Sequence, residues 1–215
     1  MKRRAIIIVT TACFLLAAAE EPPPSSARLQ RFEENRKYGY KDQAGKVVIP
    51  AQYDDAGEFS SGLAAVNLGA STGHAPIRTG GKWGFINARG EVVVPLTLDS
   101  AHEFSDGLAL VWDKAGPRYI DTQGNTIIIP EKVSGCGDFR EGLAPLYFDR
   151  SLAGKDWLTR FINKKGEEVF SVDGYAYEFH EGLALRVLAL DPKRERTMYG
   201  FIDKNGKIAI ESRFN

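Results

Sequence analysis

Lys82-Trp83-Gly84-Phe85-Ile86-Asn87, then Gly90, then Val92-Val93-Val94-Pro95, and finally Phe104-Ser105-Asp106-Gly107-Leu108-Ala109 form the stretch that decides the fold. Runs of β-branched and aromatic residues bounded by Gly, Asn and Pro read as short strands. Gly90 stands where a hairpin needs positive φ, which glycine adopts with no Cβ clash. Pro95 sits at a strand end, where no ladder donor is required.

The same succession recurs along the chain. Tyr38-Gly39-Tyr40 and Tyr199-Gly200-Phe201-Ile202-Asp203 echo the Trp-Gly stretch, and Tyr119-Ile120-Asp121 and Phe161-Ile162-Asn163 are weaker copies. Turn glycines 45, 90, 124, 166 and 206 follow, spaced 45, 34, 42 and 40 residues apart. The closing signature appears as Phe59…Gly62, Phe104…Gly107, Phe139…Gly142 and Phe179…Gly182, each continued by Leu-Ala. From turn glycine to closing glycine the distances are 17, 17, 18 and 16, so this half of the unit is nearly rigid. Such regularity marks an internal repeat.

Phased from the Gly-Leu-Ala strand, each unit holds three strands, with Leu29 to Phe32 opening the first and Ile210 to Phe214 ending the last. The expected fold is all-β, a tandem array of about five three-stranded antiparallel hairpin or meander repeats over residues 29–215. A closed, propeller-like ring is the alternative, although propeller blades typically carry four strands. No stretch after residue 35 shows a helical period.

Lys82-Trp83-Gly84-Phe85-Ile86, Gly90, Val93-Val94-Pro95 and Phe104-Ser105-Asp106-Gly107-Leu108-Ala109 resemble a bacterial WG (KWG) repeat, and the resemblance covers roughly residues 29–215. The Trp-Gly pair is Tyr38-Gly39 in unit one, Pro117-Arg118 in unit three, Thr159-Arg160 in unit four and Tyr199-Gly200 in unit five. Units three and four are thus the degenerate ones. The resemblance implies an exported or surface-associated repeat protein acting as an interaction module, and brings no catalytic residues with it.

Length and charge narrow the field. The 215 residues give room for one large or two small domains. With 28 basic against 28 acidic side chains, the chain lacks the excess of cations that a general nucleic-acid binder needs. Two cysteines exclude a multi-Cys metal centre. Lys2-Arg3-Arg4, the apolar run Ala5 to Ala19 and the small residues Ala17-Ala18-Ala19 have the layout of a secretory signal peptide, expected over residues 1–19. The apolar run is shorter than the roughly 20 residues that span a bilayer, so no transmembrane helix is expected in the mature chain. Residues 20–28, with Pro22-Pro23-Pro24-Ser25-Ser26, read as a flexible tether. A lipidation site at Cys13 is the alternative, but Thr10-Thr11-Ala12 before it lacks the usual aliphatic residue. Cleavage leaves Cys136 as the sole thiol, flanked by Gly135 and Gly137 and expected to serve as a small buried residue.

The chemistry-bearing residues form no catalytic constellation. His74, His102 and His180 show no ligand spacing, and His180 fills a slot that holds Ser60, Ser105 and Arg140 in other units. Glu58, Glu103, Asp138 and Glu178 each precede the recurrent Phe, a regularity that predicts a structural job such as bonding a turn amide. Phe59, Phe104, Phe139 and Phe179, with Tyr40, Phe85, Tyr119, Phe161 and Phe201, read as a continuous core. Gly69 to Gly81 holds no Gly-Lys-Ser/Thr, so no phosphate cradle and no cofactor are expected.

Length variation collects in segments 67–82, 112–117, 148–158 and 188–198, the same connection in every unit. Insertions on a common face often mark the binding face of repeat proteins. The candidate binding residues there are Arg78, Lys82, Trp112, Lys114, Arg150, Lys155, Trp157, Arg194 and Arg196. The structural positions are Trp83, Gly84, Gly90 and Gly206 with the closing pairs Phe59/Gly62, Phe104/Gly107, Phe139/Gly142 and Phe179/Gly182. The expectation is an exported, noncatalytic module that binds a protein partner in the periplasm, elsewhere in the cell envelope or outside the cell. The alternatives are a glycan-binding protein or an envelope hydrolase with a loop-built site.

Overall fold

The structure is a computed structural model that describes residues 29–72, 78–149, 157–191 and 196–211. The proposed signal peptide and tether therefore lie outside the described residues. Five antiparallel sheets follow one another in chain order. The first comprises β1 (Gln30–Glu34), β2 (Lys37–Lys41) and β3 (Val47–Tyr53). The second comprises β4 (Asp55–Ala56), β5 (Leu63–Thr72), β6 (Arg78–Asn87) and β7 (Val92–Leu98). The third holds β8 (Ser100–Ala101), β9 (Ala109–Asp113), β10 (Gly116–Ile120) and β11 (Thr126–Ile128). The fourth holds β12 (Gly135–Cys136), β13 (Leu143–Phe148), β14 (Leu158–Asn163) and β15 (Glu168–Asp173). The fifth holds β16 (Ala176–His180), β17 (Leu183–Asp191), β18 (Arg196–Ile202) and β19 (Ile208–Ile210).

The all-β repeat array and its phase are as the sequence predicts, with the Gly-Leu-Ala, Trp-Gly and Val-Val-Pro strands adjacent in that order. The structure adds a short strand ahead of the three in sheets two to five. In sheets two, three and four it is two residues long, preceding the closing Phe and pairing with the Gly-Leu-Ala strand, as in Asp55↔Asn67 and Ala56↔Val66. Segments this brief carry no period-2 signal.

Two turns recur: one ends each of the four closing signatures and the other is present in all five units. In the closing signature, Ser61, Asp106, Glu141 and Glu181 have φ between 51° and 54°, and the glycine after each is also positive. Two successive positive φ values define the two-residue turn whose twist matches antiparallel strands, and Ser60 and Leu63 exchange both backbone hydrogen bonds across it. At the other turn, a side-chain oxygen of Asp42, Asn87, Asp121, Asn163 or Asp203 accepts two backbone N–H groups. These come from the residues two and four positions on. Asx side chains mimic a backbone turn in this way.

The glycine of the Trp-Gly pair has a separate job. A Cβ on Gly84 would lie 2.5 Å from Val94 O and 2.9 Å from Leu96 N. The reason is a bulge: Trp83 pairs Leu98 and Phe85 pairs Val94, so β7 spends two extra residues, Pro95 and Leu96, folding over the glycine. The first sheet repeats this, with Tyr38↔Tyr53 and Tyr40↔Ile49 around Gly39. In the fourth sheet Arg160 replaces the glycine and pairs Ser171 in regular register. In the third, Arg118 replaces it and β11 stops at Ile128. Degeneracy of the Trp-Gly pair is thus degeneracy of a bulge.

The core consists of the interfaces between sheets. Tyr40, Ile49 and Tyr53 of the first sheet pack against Ala64, Val66 and Ile86 of the second. Phe85, Val94 and Leu98 meet Ala109, Val111 and Ile120 of the third. Tyr119 and Ile128 meet Ala144, Leu146 and Ile162, and Phe161 and Val172 meet Ala184 and Ile202. The closing Phe of each unit wedges against the preceding aromatic, with ring centroids 4.8–5.2 Å apart for Tyr40–Phe59, Phe85–Phe104, Tyr119–Phe139 and Phe161–Phe179. These are favoured tilted or edge-on geometries. The arrangement is an open array among the described residues, because Phe201 and Ile210 of the last sheet stay 37% and 45% exposed.

Candidate functional site

Successive closing segments lie side by side, and their acids bond one another's backbones. Glu58 N–H donates to Glu103 Oε1 at 2.9 Å, and Asp138 N–H donates to Glu178 Oε1 at 3.2 Å. One turn further on, Gly142 N–H donates to Asp106 Oδ2 at 2.6 Å and Gly182 N–H to Glu141 Oε2 at 3.0 Å. The structural role expected for Glu103 and Glu178 is therefore present. Ser60 Oγ donates to Phe104 C=O at 2.6 Å.

A groove of about 580 Å³ runs across these segments of units two to four. Its polar lining includes Ser60, His102, Glu103, Asp106, Asp138 and Arg140. His102 Nδ1 lies 2.9 Å from Asp138 Oδ1, and its ring is 5.3 Å from that of Trp112. The hydrogen bond to Asp138 raises the His102 pKa above its ordinary 6.5, against a smaller opposing pull from burial. The imidazolium form is thus the one the fold favours. Among the described residues, no three His, Cys, Asp or Glu side chains gather as a metal cage.

This pairing was open to sequence reasoning and missed. His102 stands two residues before Phe104, and Asp138 one before Phe139, so equivalent segments of neighbouring units had to bring them together. Because the folded pKa is raised, the pair stabilises the fold fully below the unfolded value, and this contribution fades as pH rises through the folded one. In an NMR titration His102 is expected to titrate above 6.5, and Asp138→Asn to bring its midpoint down. A midpoint unmoved by Asp138→Asn refutes the pairing.

The strand ends that flank the loop segments lie at the opposite end of sheets two to five. Lys82 and Lys114 line a smaller hollow of about 310 Å³ with Asp99 and Asp113. Lys82 is ion-paired with Asp99, and Arg118 with Asp113, so this end is not a bare cationic patch. Trp112 is half-buried against His102, while Trp157 is 36% exposed and edge-on to Tyr175. Arg78 and Arg196 sit in β6 and β18, and Arg150, Lys155 and Arg194 lie outside the described residues, as does His74. His180 is exposed, as its slot predicts.

Cys136 is half-buried, and loss of water pushes its thiol pKa to about 12. Thiolate is the nucleophile, so Cys136 in the native chain from Glu20 onward is expected to react with a disulfide reagent at least about tenfold more slowly than in the denatured chain. Equal rates sink the packing assignment.

No curated protein matches the chain. Among solved structures, one described as the eukaryotic initiation factor is similar in fold, at 10% identity and a TM-score of 0.54, over 86% of this chain and 52% of that one. The chain thus spans about half the length of that structure. A protein of unknown function from Bacteroides caccae is 15% identical over 87% of this chain and 78% of that one, with a TM-score of 0.37. The model of the WG containing repeat matches residues 38–70, 83–111, 118–147 and 199–215, just over half of the chain. These regions hold four of the five turn glycines, Gly45, Gly90, Gly124 and Gly206, and three of the four closing pairs, and the chain belongs to the WG-containing repeat family.

Proposed function

We propose that this chain is an exported, noncatalytic repeat module that binds a protein partner in the bacterial cell envelope or outside the cell. What supports the reading is the groove across the closing segments. His102, Asp138 and Arg140 line it, and the backbone beneath is held by hydrogen bonds between units. A surface fixed before binding loses little conformational entropy when a partner docks. Its side chains alternate in charge, which suits a polar peptide surface better than a phosphate backbone.

The chain from Glu20 onward, immobilised as bait against solubilised envelope extract, is expected to retain a saturable partner that Arg140→Glu releases. Retention unchanged by Arg140→Glu and His102→Ala removes the groove from the reading. Export is tested separately, by fusing residues 1–28 to a reporter enzyme active only outside the cytoplasm. A silent reporter overturns it. The His102–Asp138 pair also gives an envelope hydrolase its starting point. Turnover of a hydrolase substrate that His102→Gln abolishes favours that second reading.

A further inference from the structure

Every internal unit presents two different faces. The trailing face carries the Trp-Gly-strand aromatic and the apolar residue paired with it, as in Tyr40 with Ile49, Phe85 with Val94 and Tyr119 with Ile128, all 8% exposed or less. The leading face of the next unit covers them with a fixed set: Ala64 and Ile86, Ala109 and Ile120, Ala144 and Ile162, Ala184 and Ile202. A closing Phe accompanies each set. Four interfaces thus define what a trailing face accepts.

The two end sheets break the pattern in opposite ways. In the first sheet, Gln30↔Lys41 occupies the register of Ala64↔Ile86, and Ser25 stands four residues before Leu29 where a closing Phe belongs. Gln30 and Lys41 there make an outer cap of the kind repeat arrays use for solubility. Among the described residues the fifth sheet has no such cap. Its trailing residues keep the apolar pattern, yet Tyr199, Phe201 and Ile210 are 49%, 37% and 45% exposed. The counterparts of Phe201, namely Tyr40, Phe85, Tyr119 and Phe161, are fully buried, and Ile49, Val94 and Ile128, the counterparts of Ile210 in the first three sheets, are 8% exposed or less.

We infer that the trailing face of the fifth sheet is a docking surface for the leading face of a WG-type unit carried by another polypeptide. The occupant's chemistry follows from the four internal interfaces: an Ala/Ile pair on adjacent strands and a Phe five residues before that Ala. A second copy of this chain fits poorly, since it would bury Gln30 and Lys41 against Phe201, and burying an unpaired ammonium is costly. The inference is independent of the groove, which Arg140 lines and Phe201 does not.

The test uses full chains with the predicted leader removed. The probe carries Ser25→Phe, Gln30→Ala and Lys41→Ile, which rebuild a leading face, and Phe201→Lys, which blocks its own trailing face. Sedimentation velocity of wild type alone is expected to show monomer, and an equimolar mixture a one-to-one complex. Phe201→Lys in the wild-type partner is expected to weaken that complex at least about tenfold, while Arg140→Glu leaves it unchanged. A probe carrying Lys41→Ile and Phe201→Lys alone gives the same comparison should the fuller one fail to melt cooperatively. The absence of a complex between folded chains overturns the inference. So does a wild-type dimer abolished by Phe201→Lys, which assigns the face to a second copy.

Discussion

Phe104→Ala is expected to destabilise the fold by about 3–5 kcal/mol in a denaturant titration, the usual cost of emptying a buried aromatic site. Phe104 is 3% exposed and its ring lies 4.9 Å from Phe85. It belongs to the cluster in which Leu63, Val94 and Leu98 of the second sheet meet Val111 and Ile120 of the third. Strands already paired on both sides line the space the ring vacates, so the site cannot collapse freely. The loss falls on one interface, and an array whose units touch mainly their neighbours passes such a loss on only through adjacent contacts. The variant's transition is therefore expected to broaden as well as shift, with the first two sheets separating from the rest. A loss below about 1 kcal/mol removes Phe104 from the core.

Spacing told most about the parts that repeat with a fixed length. The interval between turn glycine and closing glycine varies by only two residues, and it fixed strand order, phase and the aromatic wedges. The two-residue strands such as Asp55–Ala56 escaped because so few residues show no alternation. The candidate site was legible in a different way. Individual histidines and acids looked unremarkable within their own units, since His102 has no partner nearby in sequence. Its partner Asp138 is 36 positions away, one repeat further on. Recurrence within a closing segment signals structure, while a change of residue at one such position, aligned on the next unit, signals a pair across units. The ion pairing of the loop cation Lys82 is hidden from the sequence for a related reason. Lys82 faces Asp99 from the crossing that follows β7, a contact that loop composition does not encode.

Gly84→Ala is expected to cost about 3 kcal/mol, at the upper end of what overpacking does. That exceeds the cost of Gly107→Ala, although Gly107 has φ +84° and Gly84 has no such backbone requirement. A Cβ at Gly107 meets nothing within 4 Å, so its penalty is the left-handed conformation alone, about 1–2 kcal/mol. A Cβ at Gly84 meets the carbonyl of Val94 and the backbone of Leu96, which cannot swing aside as a side chain would. Relief requires β7 to give up the fold-over of Pro95 and Leu96, and with it the pairing of Trp83 with Leu98. The fourth sheet shows the alternative already built: Arg160 pairs Ser171 without a bulge. Deleting Pro95 and Leu96 leaves Phe85 opposite Val94 and brings Leu98 opposite Trp83 in regular register. In that background Gly84→Ala is expected to cost less than about 1 kcal/mol, a coupling of roughly 2 kcal/mol between the glycine and the bulge. Equal costs in the two backgrounds would show that the glycine serves something other than the strand folded over it.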